Sequence, residues 1–147
     1  MQKFLIIQTA FIGDVVLATS LVEKLHQFFP GAAIDFLVRK GNESLLSNNP
    51  YLREVLIWDK KNNKNKNLLA LLRKIRAAKY DKVINLQRYL ATGILTAFSG
   101  ATETIGFDKN PLSFLFSKKV KHSFNISEAK HEIEKNNALI SHFTNDV

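Results

Sequence analysis

The residues best placed to do chemistry are Thr9-Ala10-Phe11-Ile12-Gly13-Asp14, which join an apolar run to a helical pattern and end in a carboxylate. In an open parallel sheet, ligands sit beyond the carboxyl ends of the strands, where a first strand-to-helix turn lies. The turn is not a dinucleotide fingerprint, because G-x-G-x-x-G needs more glycines than Gly13 alone. Nor is it a phosphate-cradling P-loop, which requires a second glycine and a Lys-Ser/Thr pair. It offers a glycine that lets a ligand approach the backbone, then Asp14 at the mouth of the sheet.

Asp14 has two readings. In one it is only a first-turn helix residue, stabilised by free amide N–H groups and the macrodipole. In the other it is the general base for a substrate hydroxyl. A helix N-terminus favours an ionised carboxylate, which keeps a base unprotonated at neutral pH but weakens it. Such a base works when the hydroxyl is well positioned and the leaving group is good. Asn85, Gln87 and Arg88 end a later strand on the same edge and can meet hydroxyls and carboxylates, or simply cap the following helix. Thr104 to Asp108 ends another strand there, with Gly106 also able to serve only the turn. His131-Glu132 invites a metal or acid/base reading. The histidines at 26, 122, 131 and 142 lack H-x-x-x-H spacing, so no metal site is expected. With no Cys, thiolate nucleophiles, disulfides and Cys-ligated zinc are excluded.

Positioning these groups calls for alternating strands and helices, the signature of βαβ units and a parallel α/β sheet. Strands are expected at Lys3 to Gln8, Ala33 to Val38, Glu54 to Trp58, Lys82 to Leu86 and Glu103 to Phe107. A helix starts near Asp14, with Val15, Ala18, Val22, Leu25 and Phe29 as its buried stripe and Pro30-Gly31 as its stop. Asn42 to Asn49 reads as a short helix. Asp59 to Asn67 reads as a loop, and Asn67 as the cap of a helix facing inward through Leu68, Leu71, Leu72, Ile75 and Ala78. Leu90 to Ser99 and Ser127 to His142 are two more helices, Asp108 to Pro111 is a turn, and Phe114 to Phe116 stays unassigned. Without repeats or a linker, residues 1–147 read as one domain.

The chain of 147 residues carries 21 Lys and Arg against 13 Asp and Glu, a net charge of +8. Lys60, Lys61, Lys64, Lys66, Arg73, Lys74, Arg76 and Lys79 fall within one stretch that has no acid, so that stretch holds the whole surplus. A pI near 9.8 then raises nucleic-acid binding as one function. Against it, the cluster has only Tyr80 beside it for stacking and no known nucleic-acid motif. A dinucleotide-binding oxidoreductase domain is a further alternative, disfavoured by the missing glycines and by Arg39-Lys40 where a ribose-binding acid would follow the second strand. No apolar run approaches the roughly 20 residues of a membrane span, and the N-terminus does not read as a signal peptide.

The segments FLIIQTAFIGDVVLATSLVEKLHQFFPGAAIDFLV, LLSNNPYLREVLIW, YDKVINLQ, SGATETIGFD and HEIEKNNALI occur in order and rough register across essentially the whole chain. Together they resemble the N-terminal half of glycosyltransferase family 9, the ADP-heptose:lipopolysaccharide heptosyltransferases. The resemblance implies a GT-B architecture in which this Rossmann-like domain holds the acceptor and a C-terminal domain, not contained in these residues, binds the nucleotide sugar. It implies metal-independent, inverting transfer with no cofactor, and Asp14 as the base. Ile12 and Gly13 would lie beside the donor sugar, and Thr9, Ala10 and Phe11 would shape the acceptor side. Lys60, Lys61 and Lys64, with Asn85, Gln87 and Arg88, would meet the phosphates and acidic sugars of the lipopolysaccharide core. Two positions depart from the family pattern: Gln8, where a basic residue is common, and Arg88, where glycine often follows the strand.

The helix with His131 and Glu132 would help dock the second domain. The implied setting is cytoplasmic and peripheral, at the inner face of the inner membrane, where each Lys or Arg contributes about 1 kcal/mol against anionic lipid. On this reading nucleic acid is not a partner, and the chain alone is expected to be inactive.

Overall fold

A computed structural model describes residues 2–120, 136–140 and 144. Six parallel strands, β1 (Lys3–Ile7), β2 (Ala33–Arg39), β3 (Glu54–Trp58), β4 (Lys82–Asn85), β5 (Glu103–Phe107) and β6 (Lys118–Val120), form one sheet. Their spatial order is β3-β2-β1-β4-β5-β6. The chain thus starts at the centre, winds to one edge, crosses back through α2 (Lys64–Ala78) and winds to the other. The winding reverses between β1 and β4, which opens a crevice at their carboxyl ends.

Alternation along β1 divides the core in two. Phe4 and Ile6 pack with Val15, Ala18, Val22 and Leu25 of α1 (Ile12–Phe28) and with Leu139 and Ile140. Leu5 and Ile7 face the other way, toward Leu71 and Ile75 of α2 and Leu95 of α3 (Leu90–Ala97). Successive side chains of a strand point to opposite faces, so an apolar run with no polar alternation must be covered on both sides.

Several boundaries differ from the sequence reading. Helix α1 begins at Ile12, so Asp14 is the third residue of its first turn instead of opening the helix. Asn42 to Asn49 supplies only a 3-10 turn at Glu43–Leu45, because Gly41 and Pro50 leave too little room for a helix to propagate. Helix α2 begins at Lys64, within the stretch read as loop, with a left-handed Asn63 (φ 51°) in front of it. Asn67 does not cap it; its amide donates to the carbonyls of Asp59 and Asn62 and fastens the loop to the first turn. Strand β6 was not expected, since Lys-Lys-Val carries almost no apolar signal. It is a short, lysine-bearing edge, and both features discourage further strand pairing. Most of the Ser127 to His142 helix, with His131 and Glu132, lies outside the described residues.

Candidate functional site

The crevice is built on a glutamine. Gln87, just past β4, is nearly buried, and its side chain spans the gap to β1: Thr9 Oγ1 donates to Gln87 Oε1 at 2.9 Å, and Gln87 Nε2 donates to Gln8 Oε1. Gln8 Oε1 also accepts from the Ala10 amide at 3.2 Å. These two donors require an acceptor at position 8, which a lysine ammonium could not supply. Asn85 Oδ1 accepts from the Gln87 amide at 2.8 Å and holds the strand end from behind.

Three side chains from elsewhere clamp the same turns. Lys60 Nζ donates to the Thr9 carbonyl at 2.7 Å and Asn42 Nδ2 to the Ala10 carbonyl at 3.1 Å. Asn110 Nδ2 donates to the carbonyls of Gln87 at 3.2 Å and Tyr89 at 3.1 Å. Asn42 and Asn110 escaped the sequence reading, since single asparagines in turn-like contexts look like turn formers. The one available signal for Asn110 was the pairing of a small residue, Gly93, with a polar turn. A Cβ on Gly93 would fall inside the Asn110 amide, so the glycine is what admits it.

On this frame lie two adjoining clefts. The first, of about 360 Å³, is lined by Ala10, Phe11, Asp14, Gln87, Arg88 and Tyr89, among others. Asp14 is half-exposed and, among the described residues, its carboxylate takes part in no hydrogen bond or ion pair. It does not cap α1: the N-cap is Phe11, and no side chain bonds the free amides there. The carboxylate is therefore spared for the cleft. Phe11 is exposed at its rim, with the Arg39 guanidinium 5.7 Å from its ring centroid, and Ile12, the next residue, is exposed but does not line the cleft.

The second cleft, of about 280 Å³, is lined by Thr9, Trp58, Lys60, Lys64, Gln87, Tyr89 and the first turn of α3. Lys60 and Lys64 hang over the Trp58 ring at 5.2 and 5.9 Å. Burial, then the charges of Arg39 and Lys64, push the Lys60 ammonium below the usual lysine range. Lys61 faces a third hollow, of about 240 Å³, shared with Arg39, Lys40 and Lys60. Asp59 sets this loop. Its carboxylate accepts the amides of Asn62 and Lys61, which, with Lys40 at 3.7 Å, hold it below the usual carboxylate range. Helix α2 opens with Lys64 and Lys66 and no acid in its first turn. Cations at a helix N-terminus cost about 0.3–1 kcal/mol each, so the fold concentrates positive potential here against its own preference.

The sequence-derived residues thus sort by accessibility. Asp14, Phe11, Arg88, Lys60 and Lys64 converge on the two clefts, while Lys61 stands in the neighbouring hollow. Thr9 and Asn85 are fully buried. The Thr9 hydroxyl donates to Gln87 and the Asn85 side chain is enclosed, accepting from the Gln87 amide. Gly13 has nothing within 4 Å of where a Cβ would stand. The protein itself does not require a glycine there. Gly13→Ala is expected to raise stability by about 0.5–1 kcal/mol in urea unfolding, through helix propensity.

An all-parallel sheet in this order, with a cleft of this kind at its switch point, defines a Rossmann-like ligand-binding domain. The sequence profile of glycosyltransferase family 9 (heptosyltransferase) matches residues 68–147. The chain belongs to that family. It is 37% identical over 78 residues to lipopolysaccharide heptosyltransferase 3 of Escherichia coli K12, covering 50% of this chain and 23% of that protein. It is 28% identical over 106 residues to the lipopolysaccharide core heptosyltransferase OpsX of Haemophilus influenzae, covering 72% and 30% respectively. The family 9 glycosyl transferase of Veillonella parvula superposes with a TM-score of 0.84 at 24% identity, over 97% of this chain and 43% of that one. The fold is that of the Rossmann-like GT-B glycosyltransferases. The chain spans about a third or less of the curated relatives named here and under half of that solved structure.

Proposed function

We propose that this chain forms the acceptor-binding half of a heptosyltransferase acting on the lipopolysaccharide core, with a nucleotide sugar such as ADP-heptose held by a second domain. The supporting observation is the pairing of the two clefts across Gln87. One presents an unpartnered carboxylate, Asp14; the other presents Lys60 and Lys64 beside the free amides of the first turn of α3. A phosphorylated or acidic sugar seated on the lysines would reach toward Asp14 with a hydroxyl. Asp14 takes that hydroxyl's proton as its oxygen bonds to the anomeric carbon and the nucleoside diphosphate leaves from the opposite side, which inverts the centre. No metal or cofactor enters this scheme. The groups that bind nucleotide and neutralise the departing diphosphate belong to the second domain, so residues 1–147 alone should not turn over. The setting is peripheral, at the cytoplasmic face of the inner membrane.

Calorimetric titration of the chain with an acyl-free, phosphorylated 3-deoxy-octulosonate disaccharide tests this reading, with random duplex DNA as the competitor at physiological salt. Binding of the sugar is expected, weakened about ten- to a hundredfold by Lys60→Gln with Lys64→Gln. Because burial and neighbouring cations hold the Lys60 ammonium below the ordinary lysine range, sugar affinity should decline as pH rises, and begin to do so at a lower pH than for an ordinary ammonium. DNA binding tighter than sugar binding would sink the proposal.

A further inference from the structure

Residues 109–119, Lys-Asn-Pro-Leu-Ser-Phe-Leu-Phe-Ser-Lys-Lys, combine basic and apolar residues with no acid. They run from the turn after β5 into β6 and include a 3-10 turn, Ser113–Leu115. The segment is fixed at several points. Asn110 is buried and bonded to the Gln87 and Tyr89 carbonyls, and Ser113 Oγ donates to the Asp108 carbonyl at 3.2 Å. The Ser117 and Thr104 side chains each accept the other residue's amide at 2.9 Å. The Phe116 ring packs so closely on Gly106 that a Cβ there would come within 2.5 Å of it. Between these anchors Phe114 is 71% exposed and Leu115 45% exposed. The turn is held by its neighbours, so the fold gains little from either side chain.

Lys119 pairs in register with Gly106 and so leaves the sheet on the face that Phe116 covers, while Lys118 leaves on the other. Along the chain, the exposed apolar tip thus has exposed lysines on both sides, Lys109 before it and Lys118 and Lys119 after it. A tip of two side chains is far below the area a stable protein interface buries. It does suit the boundary between headgroups and acyl chains, where an aromatic ring and nearby cations are each favourable.

We propose that this turn is a membrane anchor: Phe114 and Leu115 enter the interface of an anionic phospholipid surface, and Lys118 and Lys119 meet its phosphates. The assignment rests on the reading of a lipid-linked acceptor, which gives the domain reason to sit at a membrane. One weak signal holds a protein at a bilayer only marginally, whereas an apolar contact plus a basic surface holds it stably. The lysines from Lys60 to Lys79 supply long-range attraction, and the Phe114 turn supplies the contact. Asn110 ties that contact directly to Gln87 and Tyr89, so seating the turn also sets the height of the acceptor cleft above the lipid.

The test uses the 147-residue chain and vesicles of phosphatidylethanolamine and phosphatidylglycerol free of glycolipid. Co-sedimentation should weaken about tenfold on Phe114→Ser with Leu115→Ser. That difference should persist at about 0.5 M salt, where the lysine contribution is screened. Both side chains are exposed, so the variant should unfold at the same urea concentration as the parent. A Phe114→Trp variant should show a blue-shifted emission and quenching by brominated lipids, against the constant background of buried Trp58. Unchanged sedimentation of the serine variant, or no quenching of the new tryptophan, overturns the anchor. A change of oligomeric state in the serine variant with vesicle binding intact also overturns it, in favour of a protein contact. Binding of the acyl-free disaccharide is measured separately, so failure here leaves the acceptor reading standing, and failure there leaves a lipid contact without its proposed purpose.

Discussion

Asp14→Asn, in a chain that carries its donor-binding domain, should lower kcat by about 10²–10⁴ with little change in KM for the acceptor. Asparagine keeps the size of the side chain and one acceptor oxygen but cannot take up a proton, so the loss isolates proton transfer from binding. The structure makes the experiment clean. Asp14 caps nothing and pairs with nothing among the described residues, so its replacement should leave the urea midpoint almost unmoved apart from a small macrodipole loss of about 0.3–1 kcal/mol. Stopped-time assays of heptose transfer, with acceptor affinity measured separately, would check it. A variant retaining more than about a tenth of parental kcat would show that the proton leaves by another route, and Asp14 would revert to a first-turn residue.

The position of Asp14 was legible because backbone periodicity is written in apolar spacing. Strands β3 and β5 and the stripe of α1 stand where Glu54 to Trp58, Glu103 to Phe107 and Val15 to Leu25 placed them. Legibility failed where side chains override spacing. Helix α2 starts at Lys64 because the Asp59 and Asn67 side chains fold the preceding loop onto it, and a Lys/Asn-rich run hides that contact. Strand β6 is short and basic, and only its register with β5 and the Ser117–Thr104 exchange identify it. At the site, residue type told which side chains can bond but not which way they turn. Thr9 and Asn85 read as ligand contacts in the sequence, and residue type could not show that both are fully buried, with the Thr9 hydroxyl donating to Gln87 and Asn85 accepting from the Gln87 amide. Asn42 and Asn110, each reaching a carbonyl more than 20 residues away in sequence, had no local signature.

The largest stability effect is expected at the opposite end of the sheet from these clefts. Asp35 is fully buried in β2, on the face that packs against α2, and carries three bonds. Arg53 donates from Nε to one carboxylate oxygen at 3.0 Å and from Nη2 to the other at 2.6 Å. The Tyr80 hydroxyl donates to the second oxygen at 2.6 Å. The Asp35 carboxylate raises the Arg53 guanidinium above its usual range; burial, followed by Asp35, pushes the Tyr80 phenol far above its own. Arg53→Ala would leave a buried carboxylate with one neutral donor, and breaking such a pair costs about 3–5 kcal/mol. That is a large share of the roughly 5–15 kcal/mol by which a domain is stable. Asp35→Ala should cost less, because Arg53 is partly exposed and can turn to water, although the Tyr80 hydroxyl loses its acceptor at about 1–3 kcal/mol.

Urea unfolding of the two single variants and the double variant, read as a cycle, separates the pair energy from these individual costs. The pH dependence has a definite sign. A phenol whose folded pKa lies above its unfolded value contributes stability that is fully present below pH 10.0 and is lost as pH rises above it. Parental protein should therefore lose stability above that pH faster than Tyr80→Phe does. If Arg53→Ala unfolded within about 1 kcal/mol of the parent, the carboxylate would have to be reaching water, and the network would not be what joins β2, the entry to β3 and the turn before β4.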